Sequence, residues 1–384
     1  NKYHQKRTNM SLLDVYPLYD VTPVKANDVF VYGDDGKKYL DLYGGHAVIS
    51  IGHSHPQYVN SIKNQIEKIG FYSNSVQNPL QNKLSEKLNE ISGCKDYQLF
   101  LCNSGAEANE NAIKLASFHN KKSRLLAFNN SFHGRTSAAV AATDNKKIVA
   151  PINAQQHVDF VALGELEKVE DILKENETCA VIIECIQGVG GLEQSSTEFY
   201  QGLEKLCKKY NTLLIADEVQ SGFGRTGDFF AFQAHNIQPD IISIAKGMGN
   251  GFPVGGILIR PKIEASYGLL GTTFGGNHLA CSATLAVLEI LEKENLMANA
   301  LIISKYLQNE VISIPEIKNV KGRGLMLGLE FDFLISDLRK TLIYKHHIFT
   351  GSSKNPKLLR ILPPLTIKKE HIDSLINALQ KELN

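Results

Sequence analysis

Two apolar segments of the sequence end in side chains that could do chemistry together. Thr212–Ala216 is followed by Asp217, and Ile241–Ala245 is followed, 29 residues after that carboxylate, by Lys246. The interval fits one strand–helix–strand unit, which predicts that both side chains lie at the carboxyl edge of a parallel sheet, where ligands bind. The pair could serve a ligand or form only a structural ion pair, and Asp217 could simply cap the next helix.

The segment that follows Lys246 favours a chemical role for this lysine. It reads GMGNGFPVGG, and its glycines let the backbone approach closely. Most lysines are solvated surface charges, but burial at a strand end makes the amine lose its proton more easily. Such an amine can attack an aldehyde and hold it covalently.

A third segment predicts a phosphate site. The apolar run 99–103 leads into SGAEANENAIKLA, where Ser104 and Glu107 form an S-x-x-E capping box and Gly105 leaves room for an anion. Many helices begin this way, so the segment alone is a weak signal. Together with Lys246 and Asp217 it matches pyridoxal phosphate, which carries an aldehyde, a pyridine nitrogen and a phosphate.

Five sequence strings together resemble the class III (omega) aminotransferases. They are NSGAEANENAIKLA, FHGRT, LLIADEVQSGFGRTG, IAKGMGNGFPVGG and TTFGGN, and the resemblance extends from about Tyr39 to Leu365. It implies a pyridoxal phosphate enzyme of fold type I, an α/β protein with a large, mostly parallel α/β/α domain and a smaller α+β domain. It also implies a homodimer with shared active sites. Within the family the motifs most resemble members that act on N-acetylornithine, which implies amino transfer to 2-oxoglutarate in arginine biosynthesis.

The resemblance implies a role for each residue that matches a motif position. Lys246 would hold the cofactor and move the proton of the substrate carbon, while Asp217 would keep the ring nitrogen protonated. Val219 and Phe132 would pack on the two faces of the ring, and Gln220 would contact its hydroxyl group.

The same resemblance implies contacts to the phosphate and to the substrates. Arg135 and Arg360 would bind substrate carboxylates, with Arg360 taking that of glutamate. The remaining cofactor-binding positions are Ser104, Gly105, Ala106, His133, Glu184 and, reaching across from the partner subunit, Thr273.

One position departs from the pattern of the family. Relatives usually carry a second glutamate five residues after the first, where it can pair with the glutamate-binding arginine, but the string ECIQGVGG places Val189 there. A less negative and roomier pocket would better tolerate an anionic acyl group such as succinyl. His46, in YGGHAV, stands where relatives often have an apolar residue, and we expect it to line the same pocket.

The elements that must position these residues follow from the apolar pattern. From about residue 80 to 260, short apolar runs alternate with stretches of helical periodicity, which predicts a mostly parallel sheet covered by helices. We expect a large cofactor-binding domain over 51–270 and a small α+β domain over 271–384. Residues 1–50 are expected to join the small domain.

Composition narrows the class of partner. The 384 residues include 41 Lys and Arg against 40 Asp and Glu, a balance that disfavours nucleic acid or an anionic membrane as the main partner. No apolar run approaches the roughly 20 residues of a transmembrane helix. The six cysteines contain no Cys-x-x-Cys pair and are expected to be reduced thiols of a cytoplasmic protein.

Several alternatives stay open at this stage. Other donors are N-succinylornithine, ornithine and 4-aminobutyrate, and an aminomutase of the same fold would need no second substrate. A non-catalytic protein that binds pyridoxal phosphate is disfavoured because Lys246 and Asp217 are both present. A dinucleotide-dependent oxidoreductase is disfavoured for want of the glycine fingerprint. His53 and His55 lack further ligands at a suitable spacing, so no metal is expected.

Overall fold

The computed structural model describes residues 12–383. Residues 1–11 of the predicted N-terminal segment and Asn384 of the predicted C-terminal domain therefore lie outside the described residues. The strands are β1 (Pro23–Asn27), β2 (Phe30–Gly33), β3 (Lys38–Asp41), β4 (Gln98–Cys102), β5 (Arg124–Phe128), β6 (Val158–Val161), β7 (Thr178–Ile183), β8 (Leu213–Asp217), β9 (Ile241–Ile244), β10 (Gly255–Ile259), β11 (Asn319–Arg323), β12 (Met326–Glu330), β13 (Ile348–Phe349) and β14 (Leu358–Ile361).

The helices surround these strands. They are α1 (Gly44–Ala47), α2 (Pro56–Ile66), α3 (Pro79–Ser92), α4 (Gly105–Asn120), α5 (Ser137–Ala141), α6 (Leu166–Leu173), α7 (Thr197–Lys209), α8 (His278–Lys293), α9 (Leu296–Glu310), α10 (Ser336–Tyr344) and α11 (Lys369–Leu383). The first of them is a single turn with non-helical backbone angles at Gly45 and His46.

A seven-stranded sheet forms the centre of the molecule. Its order is β4-β10-β9-β8-β7-β5-β6, and the five strands from β9 to β6 run parallel to one another. Strand β10 is antiparallel to both β9 and β4. The predicted α/β fold with a mostly parallel sheet is confirmed.

Burial explains why these segments form the central strands. Every residue of β7, β8 and β9 is buried, because helices cover both faces of the sheet. Their sequences TCAVII, LLIAD and IISI are therefore continuous apolar runs rather than alternating ones. The one charged residue of these three strands, Asp217, stands at the carboxyl end of β8, where the sheet opens to a cavity.

Two smaller sheets complete the fold. One has the order β1-β2-β3-β13, so that strands from the two ends of the chain share a sheet, and the other has the order β11-β12-β14. This arrangement suits a separate α+β unit, although the exact boundaries at residues 50 and 270 stay predictions. In the part of the chain that the structure describes, no helix combines the length and the apolar character needed to cross a bilayer.

Candidate active site

The carboxyl ends of three neighbouring strands meet at one cavity of about 400 Å³. Asp217 ends β8, Lys246 follows β9, and Glu184 follows β7, so the parallel strands bring all three side chains to one edge of the sheet. The proximity of Asp217 and Lys246 expected from their spacing is observed. A larger groove of about 620 Å³, between α4 and strands β5 and β6, contains none of the predicted site residues.

Most of the predicted site residues line this cavity, but three do not. Those in its wall are Ser104, Gly105, Ala106, Phe132, His133, Arg135, Glu184, Val189, Asp217, Val219, Gln220 and Lys246. His46, Thr273 and Arg360 lie outside the wall of this chain's cavity. Their positions are described below, and the role of every residue in either group stays a prediction.

Asp217 is the buried acceptor of three hydrogen bonds. Its Oδ2 accepts from His133 Nδ1 at 2.7 Å and from Asn109 Nδ2 at 2.8 Å, and its Oδ1 accepts from the backbone N–H of Val219 at 3.0 Å. These three contacts fix the orientation of the carboxylate. Only 5% of the residue is exposed, so the carboxylate faces the cavity and not bulk water.

His133 has one ring nitrogen without a partner. Its Nδ1 faces Asp217, while its Nε2 is buried and lacks a hydrogen-bond partner among the described residues. The backbone N–H of His133 donates to Thr143 Oγ1 at 2.9 Å, and this hydrogen bond holds the backbone of the residue in place. Because a buried polar atom is usually satisfied, the free Nε2 at a cavity wall marks a place for a ligand or an ordered water.

Glu184 is a second buried carboxylate, held by backbone N–H groups. Its Oε1 accepts from Phe132 at 3.0 Å and its Oε2 from Gly188 at 2.9 Å. Burial raises the pKa of Glu184 to about 6, an effect increased by the nearby charge of Asp217 and opposed by His133. Through its two hydrogen bonds, the Glu184 carboxylate joins the segment that carries Phe132 to the segment that carries Val189.

Lys246 is an amine in an unusual backbone conformation. Its φ is +46°, in the left-handed region, and it begins a short 3₁₀ turn that ends at Met248. The loop is tied down by Ser50 Oγ, which donates to Gly247 O at 2.7 Å, and by Asn250, whose Oδ1 accepts from the Ser50 N–H at 2.8 Å. Burial lowers the pKa of Lys246 to about 8, although Asp217 acts in the opposite direction.

The start of α4 supplies free N–H groups, as expected for a phosphate site. Ser104 caps the helix by accepting from the Glu107 N–H at 3.2 Å, but the Glu107 carboxylate accepts from the Asn103 N–H at 2.7 Å and not from that of Ser104. The reciprocal half of the predicted capping box is therefore displaced by one residue. The N–H groups of Gly105 and Ala106 have no acceptor among residues 12–383.

Gly105 is required by close packing. A Cβ atom at this position would lie 2.6 Å from Cγ1 of Val219, well inside normal contact. The helix start and Val219 therefore form two adjoining walls of the same cavity. Any larger residue would push these walls apart at the point where an anion is expected to bind.

The two predicted carboxylate-binding arginines have different environments. Arg135 is exposed and lies in the cavity wall. Arg360, in β14, is 3% exposed and lies behind the wall, where its Nη1 donates to Gly188 O at 2.8 Å and lies 3.4 Å from Gln220 Oε1. Its Nε is buried without a partner, and it forms no ion pair with a carboxylate of the described residues.

Thr273 and His46 are the other two predicted site residues that lie outside the cavity wall. Thr273 is exposed in the loop before α8, and its neighbour Thr272 accepts a hydrogen bond at 3.3 Å from Asn103, beside the start of α4. His46 is partly open to solvent in α1 and lies 2.6 Å from the hydroxyl of Tyr43. His46 lies outside the wall of this chain's cavity with its ring beside Tyr43, and its place in the substrate pocket stays a prediction.

Asn109 is the site residue that the sequence analysis missed. It is 1% exposed and donates from Nδ2 to Asp217 Oδ2 and to the carbonyl of His133 at 2.7 Å. Its neighbours on the buried face of α4 are Ala108, Ala112 and Ile113. A lone amide on an otherwise apolar helix face was the available signal, because a buried amide needs a partner.

The donor set fits pyridoxal 5′-phosphate. A buried amine, a buried carboxylate and a helix start with free N–H groups match the aldehyde, the ring nitrogen and the phosphate of this cofactor, and Val219 and Phe132 supply apolar surfaces for its ring. By contrast, no cluster of three His, Cys, Asp or Glu side chains suited to a metal occurs in residues 12–383. His53 instead pairs with Asp41, and His55 with Glu294, each at 2.8 Å.

Comparison with known proteins also indicates an enzyme that uses pyridoxal phosphate. The sequence pattern of the family described as Aminotransferase class-III matches residues 14–383. The chain belongs to this family. Acetylornithine aminotransferases from Methanocaldococcus jannaschii and Aquifex aeolicus are 38% and 39% identical to it, over 99% and 97% of this chain and 96% and 99% of their own lengths.

A solved structure shows the same fold. An ornithine aminotransferase from Toxoplasma gondii, with PLP at partial occupancy in its active site, superposes with a TM-score of 0.89 and 26% identity, over 97% of this chain and 92% of its own. The class III aminotransferase described here therefore has fold type I. Its cofactor is pyridoxal 5′-phosphate.

The lowered pKa of Lys246 gives a pH-dependent prediction for this aminotransferase. The neutral amine attacks the aldehyde, and its fraction rises with pH through the pKa of about 8 in the folded protein, well below the ordinary lysine value of 10.5. We expect the rate at which the apo-protein binds pyridoxal phosphate covalently to reach half its maximum near pH 8. Stopped-flow absorbance measures it, and a midpoint close to 10.5 would contradict the assignment of Lys246.

Proposed function

We propose that this enzyme moves the terminal amino group of N-acetylornithine to 2-oxoglutarate. The products are N-acetylglutamate 5-semialdehyde and glutamate, and the pathway is arginine biosynthesis. The observation that carries the proposal is the identity of 38–39%, over nearly the full length, to acetylornithine aminotransferases. An ornithine aminotransferase of the same fold shares only 26%. N-Succinylornithine, ornithine and 4-aminobutyrate are the competing donors.

The reaction needs a base at the carbon that carries the amino group. When bound, the cofactor supplies an electron-accepting ring that stabilises this carbon after it loses a proton. Lys246 Nζ takes and returns that proton, and its lowered pKa keeps a useful fraction neutral at physiological pH. Asp217, oriented by His133 and Asn109, would hold the ring nitrogen of the cofactor.

Two arginines suit the two substrates. Arg135 is exposed in the wall of the cavity and is available to a donor carboxylate. Arg360 is buried beside Gly188 and Gln220 and has unused hydrogen-bonding capacity for a second carboxylate. Two carboxylate sites favour a transferase with two successive substrates over an aminomutase, which would need only one.

We further propose a cytoplasmic homodimer. Tyr72 and Phe274 are 58% and 61% exposed, and the ring of Phe274 lies 5.5 Å from that of Phe71, so an apolar surface borders the loop of Thr273. Such a surface suits burial against a second copy of the chain. In that arrangement the exposed Thr273 of each subunit would complete the phosphate site of the other.

Replacing Arg360 by glutamine tests its assignment. Because a hydrogen bond to a charged group contributes about 1.5–3 kcal/mol, we expect KM for 2-oxoglutarate to rise about tenfold to a hundredfold. Steady-state kinetics with 2-oxoglutarate as the varied substrate measure this change. Arg360→Lys keeps the charge but loses the planar fork, so we expect an intermediate value. A KM equal to that of the parent enzyme in both variants would refute the assignment.

The substrate itself is tested by rapid mixing without any keto acid. The holoenzyme is mixed in turn with N-acetylornithine, ornithine and 4-aminobutyrate, and the decay of the cofactor absorbance is followed. We expect the acylated donor to react with the largest second-order rate constant. A larger constant for ornithine or 4-aminobutyrate would replace the proposed donor, while leaving the aminotransferase class intact.

A further inference from the structure

The segment 133–139, which carries Arg135, packs directly against α4. Gly134 lies so close to this helix that a Cβ atom on it would stand 2.8 Å from Cβ of Ala106. The φ of Gly134 is +140°, which also favours glycine at this position. Because a side chain here would push the two apart, the glycine sets how closely the segment approaches the start of α4.

The same face of α4 holds the segment at two further points. Asn109 and Glu110 come three and four positions after the first contact, which places them on that face of the helix. Asn109 Nδ2 donates to the carbonyl of His133 at 2.7 Å. Glu110 Oε1 accepts from the Thr136 hydroxyl at 2.7 Å. The two hydrogen bonds therefore anchor the chain on either side of Arg135.

Glu110 also supplies the cap of α5. Thr136 is the N-cap residue of that helix, yet its side chain accepts no hydrogen bond from the N–H groups of the helix start among the described residues. Its hydroxyl donates to Glu110 Oε1, and the same oxygen accepts from the N–H of Ala139 at 2.8 Å. A helix start needs acceptors for its free N–H groups, and α5 obtains this one from another helix. The backbone next to Arg135 is thereby tied to α4.

Glu110 itself lies away from the active-site cavity. It borders the separate groove of about 620 Å³, whereas Arg135 lies in the wall of the cavity. Within residues 12–383 Glu110 forms no ion pair, and both of its hydrogen bonds to the segment use one oxygen. The side chain therefore acts as a hydrogen-bond acceptor that holds backbone, and it does not touch a ligand in the cavity.

The position of Arg135 depends on this backbone. Its side chain is exposed and forms no hydrogen bond or ion pair with another of the described residues 12–383. A guanidinium binds a carboxylate best through two parallel hydrogen bonds, and such a geometry tolerates little displacement. Since no neighbouring group holds the side chain, the attachment of its segment to α4 has to place it.

We propose that Glu110 is a positioning residue, which holds Arg135 in place for the carboxylate of the amino donor. It acts through the start of α5, where its oxygen receives the Thr136 hydroxyl and the Ala139 N–H. This inference rests on the proposed role of Arg135 and adds the residue on which that role depends. Glu110 therefore affects how tightly the donor binds, and not the proton transfer at Lys246.

The test is rapid mixing of the holoenzyme with N-acetylornithine without keto acid, which gives the half-saturation concentration and the limiting rate separately. We expect Glu110→Ala to raise the half-saturation concentration about tenfold and to leave the limiting rate within about twofold. Glu110→Gln keeps an oxygen that can accept both hydrogen bonds, so it should restore the parent value. Lys114→Ala, at an exposed position one turn further along α4, is the matched control and should equal the parent.

A double-mutant cycle shows whether Glu110 acts through Arg135. Arg135→Gln alone should raise the half-saturation concentration at least about tenfold, as expected for a lost charge-assisted contact. In that variant Glu110→Ala should add less than about twofold, because the group that it positions is already gone. No effect of Glu110→Ala, an additive effect, or loss of bound cofactor would overturn the inference and leave the role of Arg135 standing. No effect of Arg135→Gln would overturn both.

Thr136→Val keeps the test decisive if Glu110→Ala does not fold. Thr136 is exposed, and this change removes only the hydroxyl that donates to Glu110. We expect the half-saturation concentration to rise about threefold, and Thr136→Ser to restore it. A parent value in Thr136→Val would contradict the inference. The identity of the donor is decided separately by the comparison with ornithine and 4-aminobutyrate, which does not depend on Glu110.

Discussion

Replacement of Lys246 by alanine is expected to lower the rate of amino transfer at least about 10⁴-fold. A positioned base contributes up to about 10⁴ by proton transfer alone, and the same amine also holds the cofactor. No other lysine lines the cavity among the described residues, so no amine stands ready to replace it. The measurement is a single-turnover reaction with N-acetylornithine, followed by cofactor absorbance.

The stability of this variant separates chemistry from folding. Burial of the Lys246 amine lowers its pKa, which means that the folded protein disfavours the charged form. Removal of the amine should therefore leave the melting temperature of the apo-protein equal to that of the parent, or raise it. Lys63→Ala, at an exposed position of α2, is the matched control and should keep full activity. Lys246→Ala that retains more than about a hundredth of the parent rate would remove Lys246 from the mechanism.

The local sequence was sufficient to predict the positions of Asp217 and Lys246 at the ends of two strands. Both follow short apolar runs, and a parallel sheet places the carboxyl ends of such runs at one edge. The direction of β10 was also within reach, because only ten residues (245–254) separate it from β9. A parallel connection normally needs a crossover of a dozen or more residues, so this interval favours the antiparallel pairing that the structure has.

Contacts between distant segments could not be predicted in this way. Arg225 is 2% exposed, and its guanidinium donates to the carbonyls of Ile49, Leu325 and Pro363. Those partners lie up to 176 residues away along the chain, and nothing in the string GFGRTG specifies them. Burial lowers the pKa of Arg225 to about 9, and the nearby charge of Asp41 opposes this effect. Only the folded chain shows that it joins three segments behind the site.

The same limit applies to His46. Its position in YGGHAV allowed a place in the cavity wall, but the left-handed turn directs the imidazole to Tyr43. Two glycines before it were a sign of unusual backbone angles, whereas the continuation of those angles through His46 and Ala47 is seen only in the folded chain. A residue type read from a motif therefore gave the neighbourhood of His46 and not its orientation.

Asp217→Asn is expected to lower turnover about a thousandfold, which is the usual cost of losing a preorganised electrostatic contact to the reacting group. The three groups that face the carboxylate, on His133, Asn109 and Val219, all donate hydrogen bonds. An asparagine would turn an NH₂ group toward at least one of them and would also lose the negative charge opposite the ring nitrogen. Single-turnover kinetics and the absorbance spectrum of the bound cofactor measure both effects.

Asp240→Asn is the matched control for Asp217→Asn. Asp240 is also buried, but it lies at the opposite end of the same strands, where its Oδ2 accepts from the Leu214 N–H at 2.9 Å and its Oδ1 pairs with Lys262 at 2.6 Å. Its replacement should lower the melting temperature while leaving turnover at the parent level. If the two variants lost activity in parallel with stability, Asp217 would be a structural residue. A large loss confined to Asp217→Asn would show that its charge acts on the reaction, because both changes remove one buried carboxylate from the same sheet.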